Sequence, residues 1–349
     1  MQLLKTENFK RPSLASLKDL HQDEKIKVLI VYDGSENSEA ALDDLSRAGL
    51  PGGVEALVVV TDVCLPSSPE DISRTVVDRR MMVLKSGVSS FVPALRDVEE
   101  ARVMSYKAER RLRSMFPLGA VKAEGLSNRH SIRRGMVRRA EAWGADLIVI
   151  GSPTSPSPQI TDYSGAAVEI AAHSHCSARI ARPSNAAVGV PVRILIGVDG
   201  SPDAINCFRA AAQRSWPKGS EARVVMVPKP GPRIDIVLGT GGLTVDGSEP
   251  RSTAAKVFER GVGELRASGL RVSIATRNGV PLDVLIDEAH EWRADCVFVD
   301  ALGFRRRMTS TNDGPPLSNV VRALAMGAPC SVEIVRGHSL NQEYLKPAA

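Results

Sequence analysis

The stretch VLIVYDGSENSEAAL at residues 28–42 returns as ILIGVDGSPDAINCF at residues 194–208, half a chain length later in a protein of 349 residues. Each copy opens with branched apolar residues, turns at Asp-Gly-Ser and runs on into a helix-forming segment. So continuous an apolar run reads as a strand buried on both faces. Asp-Gly-Ser is turn chemistry, and Ser35 or Ser38 stands where a helix cap belongs. A strand–turn–helix start repeated at mid-chain predicts two copies of one domain, each long enough to bury its own core.

The segments after each start keep the same rhythm. In the first half EALVVVTDV, AVKAEGLS, DLIVIGS and SARIAR read as strands, and EAALDDLSRAG, residues 95–115, IRRGMVRRAEAWGA and GAAVEIAAHS as helices. In the second half EARVVMVP, RVSIATRN, DCVFVDA and CSVEIV are strands. DAINCFRAAAQRS, TAAKVFERGVGELRASG, PLDVLIDEAHEWRA and LSNVVRALAMG are its helices. Residues 64–95 and 228–250 read as irregular loops. Strands alternating with helices predict right-handed crossovers and a parallel sheet. The expected fold is α/β: two tandem open-sheet, Rossmann-like domains, each with five parallel strands flanked by helices. The boundaries read as an N-terminal arm at 1–24, domain 1 at 25–183, a linker at 184–191, domain 2 at 192–337 and a tail at 338–349.

Aromatic residues make up only 4% of the chain, so Val, Ile, Leu and Ala must build the cores, as suits helices on a parallel sheet. A net charge of +5 favours anionic ligands, but scarce aromatics and the lack of a recognition motif argue against nucleic acid. The five cysteines have no metal or CxxC spacing and read as buried free thiols of a reducing compartment. No apolar run reaches the roughly 18 residues of a membrane helix, and the N-terminus lacks a signal-peptide core. The expectation is a cytoplasmic protein.

In an open α/β sheet, ligands bind beyond the carboxyl ends of the strands, where the strand order reverses. The first strands end at Asp33 and Asp199, the fourth at Gly151 and Asp300. A loop then leads to a helix whose free N–H groups suit a phosphate. Asp33 and Asp199 have an equally good reading as braces of their own turns.

The strand-Asp-Gly-Ser-helix start, ADLIVIGS and the closing GAPCSVEIV resemble the universal stress protein family, twice over, from about residue 26 to 336. The resemblance implies a five-stranded α/β sandwich that in some members binds ATP, with magnesium only alongside it. ATP-binding members carry Gly-x2-Gly-x9-Gly-Ser/Thr after the fourth strand. By that resemblance Gly151, Ser164 and Gly165 in copy one, and Gly303, Arg305, Ser318 and Asn319 in copy two, fall at phosphate positions. Asp33 with Gly34, and Asp199 with Gly200, match the nucleoside end, and Val227 the adenine wall; Asp62 suits that wall poorly. Both copies depart from the motif: Thr154 replaces the second glycine, three prolines interrupt the first loop, and Asp300 stands at the first glycine of copy two. An aspartate there repels a phosphate that lies close; domain 2 is still the better site, through Asp199, Val227, Gly303 and the arginine loop at 305–307. Members pair through their last strands, which implies an internal pseudo-dimer with SARIAR beside CSVEIV, or a homodimer.

Arg305, Arg306 and Arg307 offer bidentate phosphate contacts or form a solvated loop. Arg134 and Arg138 read as the charged outer face of a helix. The GTGG at 239–242 lacks the rest of a phosphate-loop motif and reads as a flexible loop. The histidines share no metal-ligand spacing, and no Gly-x-Ser-x-Gly elbow occurs. Two readings stand: a regulatory protein that senses an adenine nucleotide, or an interaction protein of the same fold that has lost it. An enzyme is the least favoured third.

Overall fold

The computed structural model describes residues 25–61, 91–125, 132–152, 162–227, 236–239, 242–245, 253–304 and 317–337. Domain 1 supplies strands β1 (Lys27–Tyr32), β2 (Glu55–Val60), β3 (Ala120–Gly125), β4 (Leu147–Gly151) and β5 (Ser177–Ala181). Helices α1 (Glu36–Leu45), α2 (Phe91–Met115), α3 (Ile132–Trp143) and α4 (Asp162–His173) connect them. Domain 2 supplies β6 (Arg193–Val198), β7 (Glu221–Met226), β10 (Arg271–Thr276), β11 (Cys296–Asp300) and β12 (Ser331–Val335). Its helices are α5 (Ile205–Ala212), α6 (Thr253–Ala267), α7 (Pro281–Glu291) and α8 (Asn319–Gly327), and a small antiparallel hairpin joins β8 (Ile236–Gly239) to β9 (Gly242–Val245).

The ten large strands form one sheet in the order β10-β7-β6-β11-β12-β5-β4-β1-β2-β3. Each half has the same internal order, so the reversal falls between β1 and β4 in domain 1 and between β6 and β11 in domain 2. Every pairing is parallel except one: β5 and β12, the last strand of each half, run antiparallel side by side. Arg179 pairs with Glu333 in that register, flanked by Ile180 with Val332 and Ala178 with Ile334.

Strand alternation gives the seam two unlike faces. Ala178, Ile180, Val332 and Ile334 join one continuous apolar core that runs under α3, α4, α7 and α8 from both halves. On the opposite face the cores are separate, one for each half. Between them lies a polar cluster. Arg179, 1% exposed, donates to both oxygens of Asp44 at 2.5 and 3.1 Å and to Glu333 at 3.0 Å. Arg214 pairs with the other Glu333 oxygen, and Ser331 donates to Asp44 at 2.8 Å. Burial works against the Arg179 charge, but Asp44 and Glu333 outweigh it and hold its pKa above the ordinary value.

The two ends of the seam are related by a local twofold. The Arg182 backbone N–H donates to Ser331 at 3.0 Å and that of Arg336 to Ser177 at 3.1 Å. The Arg182 side chain donates to the Ala325 carbonyl of α8, and that of Arg336 to the Ala171 and Ala172 carbonyls of α4. Each arginine thus meets the negative end of the other half's last helix, where a cation is favoured.

Three local expectations change. Residues 91–95 are helical, the first turn of α2. Part of 228–250 is the paired β8 and β9, in which Gly239 faces Gly242, so the outer glycines of GTGG lie on strands; Thr240 and Gly241 are outside the described residues. The β-branched and apolar residues on both sides of those glycines favour that pairing. Ser164 lies inside α4, whereas the loop was expected to run up to it and the helix to start at Gly165; with Pro158 the last proline of the segment, nothing opposes a helix from Asp162.

Candidate functional site

The carboxyl edge of each half is built by its own turn. In domain 1, Ser35 caps α1 by accepting from the Ser38 N–H at 3.3 Å, and Asp33 braces the turn by accepting from the Ser35 N–H at 3.0 Å. Gly34 has φ +76°, a conformation that favours glycine. Met104 of α2 sits directly over it: a Cβ on Gly34 would lie 3.1 Å from its sulfur. Helix α2 is strapped down beside this turn by Glu39, which accepts from Tyr32 at 2.5 Å, Lys107 at 2.6 Å and Arg111 at 2.8 Å. Burial works to raise the Glu39 pKa, but the hydrogen bonds from Lys107 and Tyr32 prevail and hold it below the ordinary value. Gly151, at the end of β4, packs against the first turn of α1, so that a Cβ there would collide with the Asn37 carbonyl oxygen.

Domain 2 diverges at the matching turn. Ser201 makes no side-chain cap, Pro202 follows, and a 3-10 turn at Pro202–Ala204 delays the helix to Ile205. Here the side chain of Asp300 stands where Gly151 stands in domain 1. Its Oδ1 accepts from the Leu302 N–H at 2.9 Å, and Asn206 also hydrogen-bonds to it. Asp300 is 6% exposed. Burial first, then the charges of Asp203 and Asp199, push its pKa up to about 6.

Asp199 is buried and committed to its own chain. One oxygen accepts from the Ser201 N–H at 3.0 Å and the other from the Phe304 N–H at 2.8 Å. Phe304 holds φ +64° and is 9% exposed. It shares the continuous core with Val227, which is 1% exposed. Val227, matched by resemblance to an adenine wall, is therefore covered by protein. The Gly303 N–H donates to the Asp300 carbonyl at 2.9 Å, so it is turned inward and not toward a phosphate. Ser318 caps α8, accepting from Val321 at 3.2 Å, and Asn319 begins that helix, exposed. Gly200, φ +78°, has open space where a Cβ would project. Asp33, Gly34 and Gly151 do come together at one edge, as do Asp199, Gly200, Gly303 and Ser318 at the other. Arg305, Asp62 and Thr154 lie outside the described residues. Phe304 had no signal in the sequence beyond its place after Gly303.

Asp300 makes stability depend on pH. Its folded pKa is raised, so the folded state binds the proton more tightly than the unfolded chain. Stability is then greatest below the unfolded value near 4 and is lost as pH rises through 6. A rise of that size corresponds to about 3 kcal/mol at neutral pH. Asp300→Asn keeps an acceptor for Leu302 and removes the charge. It is expected to raise the unfolding free energy at pH 7.5 by about 2 kcal/mol, with the gain gone at pH 4. Urea unfolding at both pH values measures it; a variant less stable than the parent at pH 7.5 contradicts the assignment.

Cys176, Cys207, Cys296 and Cys330 are buried free thiols; burial raises the pKa of Cys176 to about 11 and of Cys296 to about 12. Among the described residues no group of three His, Cys, Asp or Glu side chains is placed to hold a metal ion, and no helix is long and apolar enough to cross a membrane.

Residues 192–336 match the sequence model of the universal stress protein family. No curated protein matches the chain. A universal stress protein from Archaeoglobus fulgidus has a similar structure, with 14% identity over 90% of this chain and 97% of that one and a TM-score of 0.53. A functionally unknown protein from Pseudomonas aeruginosa matches at 11% identity over 88% and 92%, with a TM-score of 0.44. A universal stress protein solved in complex with cAMP matches at 20% identity over 42% of this chain and 96% of its own, with a TM-score of 0.28. The matched residues 192–336 are thus similar to the universal stress protein family, and the first five strands of the chain repeat the strand order found in that stretch.

Proposed function

We propose that this is a non-enzymatic regulatory protein of the stress response that acts through protein partners, its nucleoside pockets being closed by its own chain. The observation that carries this reading is the Phe304 N–H on Asp199, with Phe304 and Val227 buried in one core. The groups that resemblance assigns to an adenine nucleoside are already spent. Met104 over Gly34 closes the first half in the same sense. Asp300 and its acidic neighbours oppose phosphates at the second.

The test is a thermal unfolding scan of the full chain with millimolar adenosine, AMP or cAMP. A ligand at 100 times its dissociation constant stabilises by about 2.7 kcal/mol, which such a scan resolves. No shift is expected. A shift with adenosine, lost in Asp199→Ala, overturns the closed-pocket reading.

One observation favours a second reading, in which an adenine nucleotide such as ATP, with magnesium, displaces Phe304. The turn at Gly200 is open, and Phe304 is held in a left-handed backbone conformation that costs roughly 1–2 kcal/mol for a residue with a Cβ. Under that reading domain 2 is the sensor, and the adenosine shift reports it.

A further inference from the structure

The opposite edge of domain 2 carries a cavity of about 460 Å³, within the range of small-molecule sites. It lies at the amino ends of the strands, against the 186–192 segment that joins the two halves. Arg193, Arg271 and Arg293 line it from domain 2, and Arg47 reaches it from domain 1. Glu221 and Asp295 are the acidic groups on the wall, so four guanidiniums face two carboxylates.

Those carboxylates are taken. Asp295 accepts from the Arg47 side chain at 2.6 Å and from the Arg193 backbone N–H at 2.7 Å. Glu221 pairs with Arg271, whose side chain is still 73% exposed. Arg47 also donates to the Ala187 carbonyl, and Arg193 to the Trp292 carbonyl. A guanidinium has five N–H donors, so Arg193 and Arg271 each keep donors to spare. Among the described residues the Arg293 side chain has no hydrogen bond or ion pair.

Arg293 is also where it is hardest to put an arginine. It follows α7 with φ +52°, closing the helix with Ala294 N–H donating to the Ala289 carbonyl at 2.8 Å. Domain 1 ends α3 with the same closure, Ala145 N–H to the Ala140 carbonyl at 2.9 Å, and uses Gly144 at φ +69°. Glycine is the residue that this position favours. Domain 2 carries a strained arginine where domain 1 has an unstrained glycine, and backbone strain of this kind accumulates where a side chain has work to do.

We propose that this cavity is an anion site that takes a diphosphate group, gripped by Arg193, Arg271 and Arg293. The three arginines stand on separate strand ends and loops, which calls for a ligand with more than one anionic centre; planar guanidiniums match phosphoryl oxygens in pairs. With Arg47 on the wall, the bound anion ties domain 1 and the linker to domain 2. Free pyrophosphate and the diphosphate of a nucleotide share this chemistry.

The experiment is isothermal titration of the full chain with inorganic pyrophosphate, ADP and adenosine at matched ionic strength, repeated with Arg293→Gly and Arg293→Lys. Pyrophosphate is expected to bind the parent. Arg293→Gly should weaken it by about tenfold or more, the loss of one charge-assisted contact. That variant should unfold at the same temperature as the parent or about 2 °C higher, because its backbone is relaxed. Arg293→Lys should fall between, keeping the charge without the fork. Equal affinity for ADP and pyrophosphate identifies the free anion as sufficient; tighter ADP binding, still lost in Arg293→Gly, identifies a nucleotide as the source. The proposal is overturned by no pyrophosphate binding to the parent, or by unchanged binding in Arg293→Gly. The adenosine arm reports on the carboxyl edge alone, so the two sites are judged separately.

Discussion

Arg179→Ala is expected to cost about 3–5 kcal/mol of unfolding free energy, the penalty for leaving buried carboxylates without their cation. Asp44 and Glu333 are both buried and both held by this one guanidinium. Arg214 still reaches Glu333 in the variant, but within the cluster around Arg179 nothing replaces it at Asp44 except the Ser331 hydroxyl. A joint apolar replacement is the informative control. Changing Arg179, Asp44 and Glu333 together to residues of similar volume removes the charges and their desolvation, and is expected to recover most of the loss. Urea unfolding measures both, and a loss under about 1 kcal/mol in Arg179→Ala removes this cluster from the forces that hold the seam. The position also sets partner choice. Arg179 and Glu333 face each other on the local twofold, so pairing two copies of β5, or two of β12, in this register opposes like charges. The seam suits the two halves of one chain to each other and disfavours a homodimer through either closing strand.

Gly151→Ala should destabilise domain 1 by about 3 kcal/mol, at the upper end for overpacking, because the obstacle is backbone that cannot rotate away. The added Cβ would overlap the Asn37 carbonyl oxygen and lie 2.9 Å from the Ser38 nitrogen. Helix α1 would have to lift from the end of β4, and with it the Tyr32–Glu39–Arg111 strap. If Gly151 served only a phosphate, the same change would leave unfolding untouched in the absence of ligand. Chemical denaturation of the variant without ligand separates these roles, and an unaltered midpoint refutes the packing role.

The strands and their order along the chain were legible in residues 26–336 because those signals are local. An apolar run such as LIVI or VVMV is buried wherever it goes, and Asp-Gly-Ser turns whatever surrounds it. The capping role of Ser35 and the brace at Asp33 were open readings of the same kind. Arg293 was within reach of closer comparison, since Trp-Gly-Ala-Asp at 143–146 and Trp-Arg-Ala-Asp at 292–295 differ at one residue. The hairpin was missed because prolines and glycines around it mask a short apolar pair.

Local chemistry along the chain was enough to specify an α/β fold with acidic turns at the carboxyl ends of its strands, since propensity, burial and turn chemistry act over a few residues. The groups those edges face were set by long-range packing. Phe304 reaches Asp199 from 105 positions away, and Asp44 meets Arg179 from 135. Neither partner has a local feature that marks it. Their meeting depends on strand order, on which face of β5 looks toward α1, and on how the β11 loop folds back. These arise from packing the whole sheet at once, where many small burial terms sum to one arrangement and no single segment holds the answer.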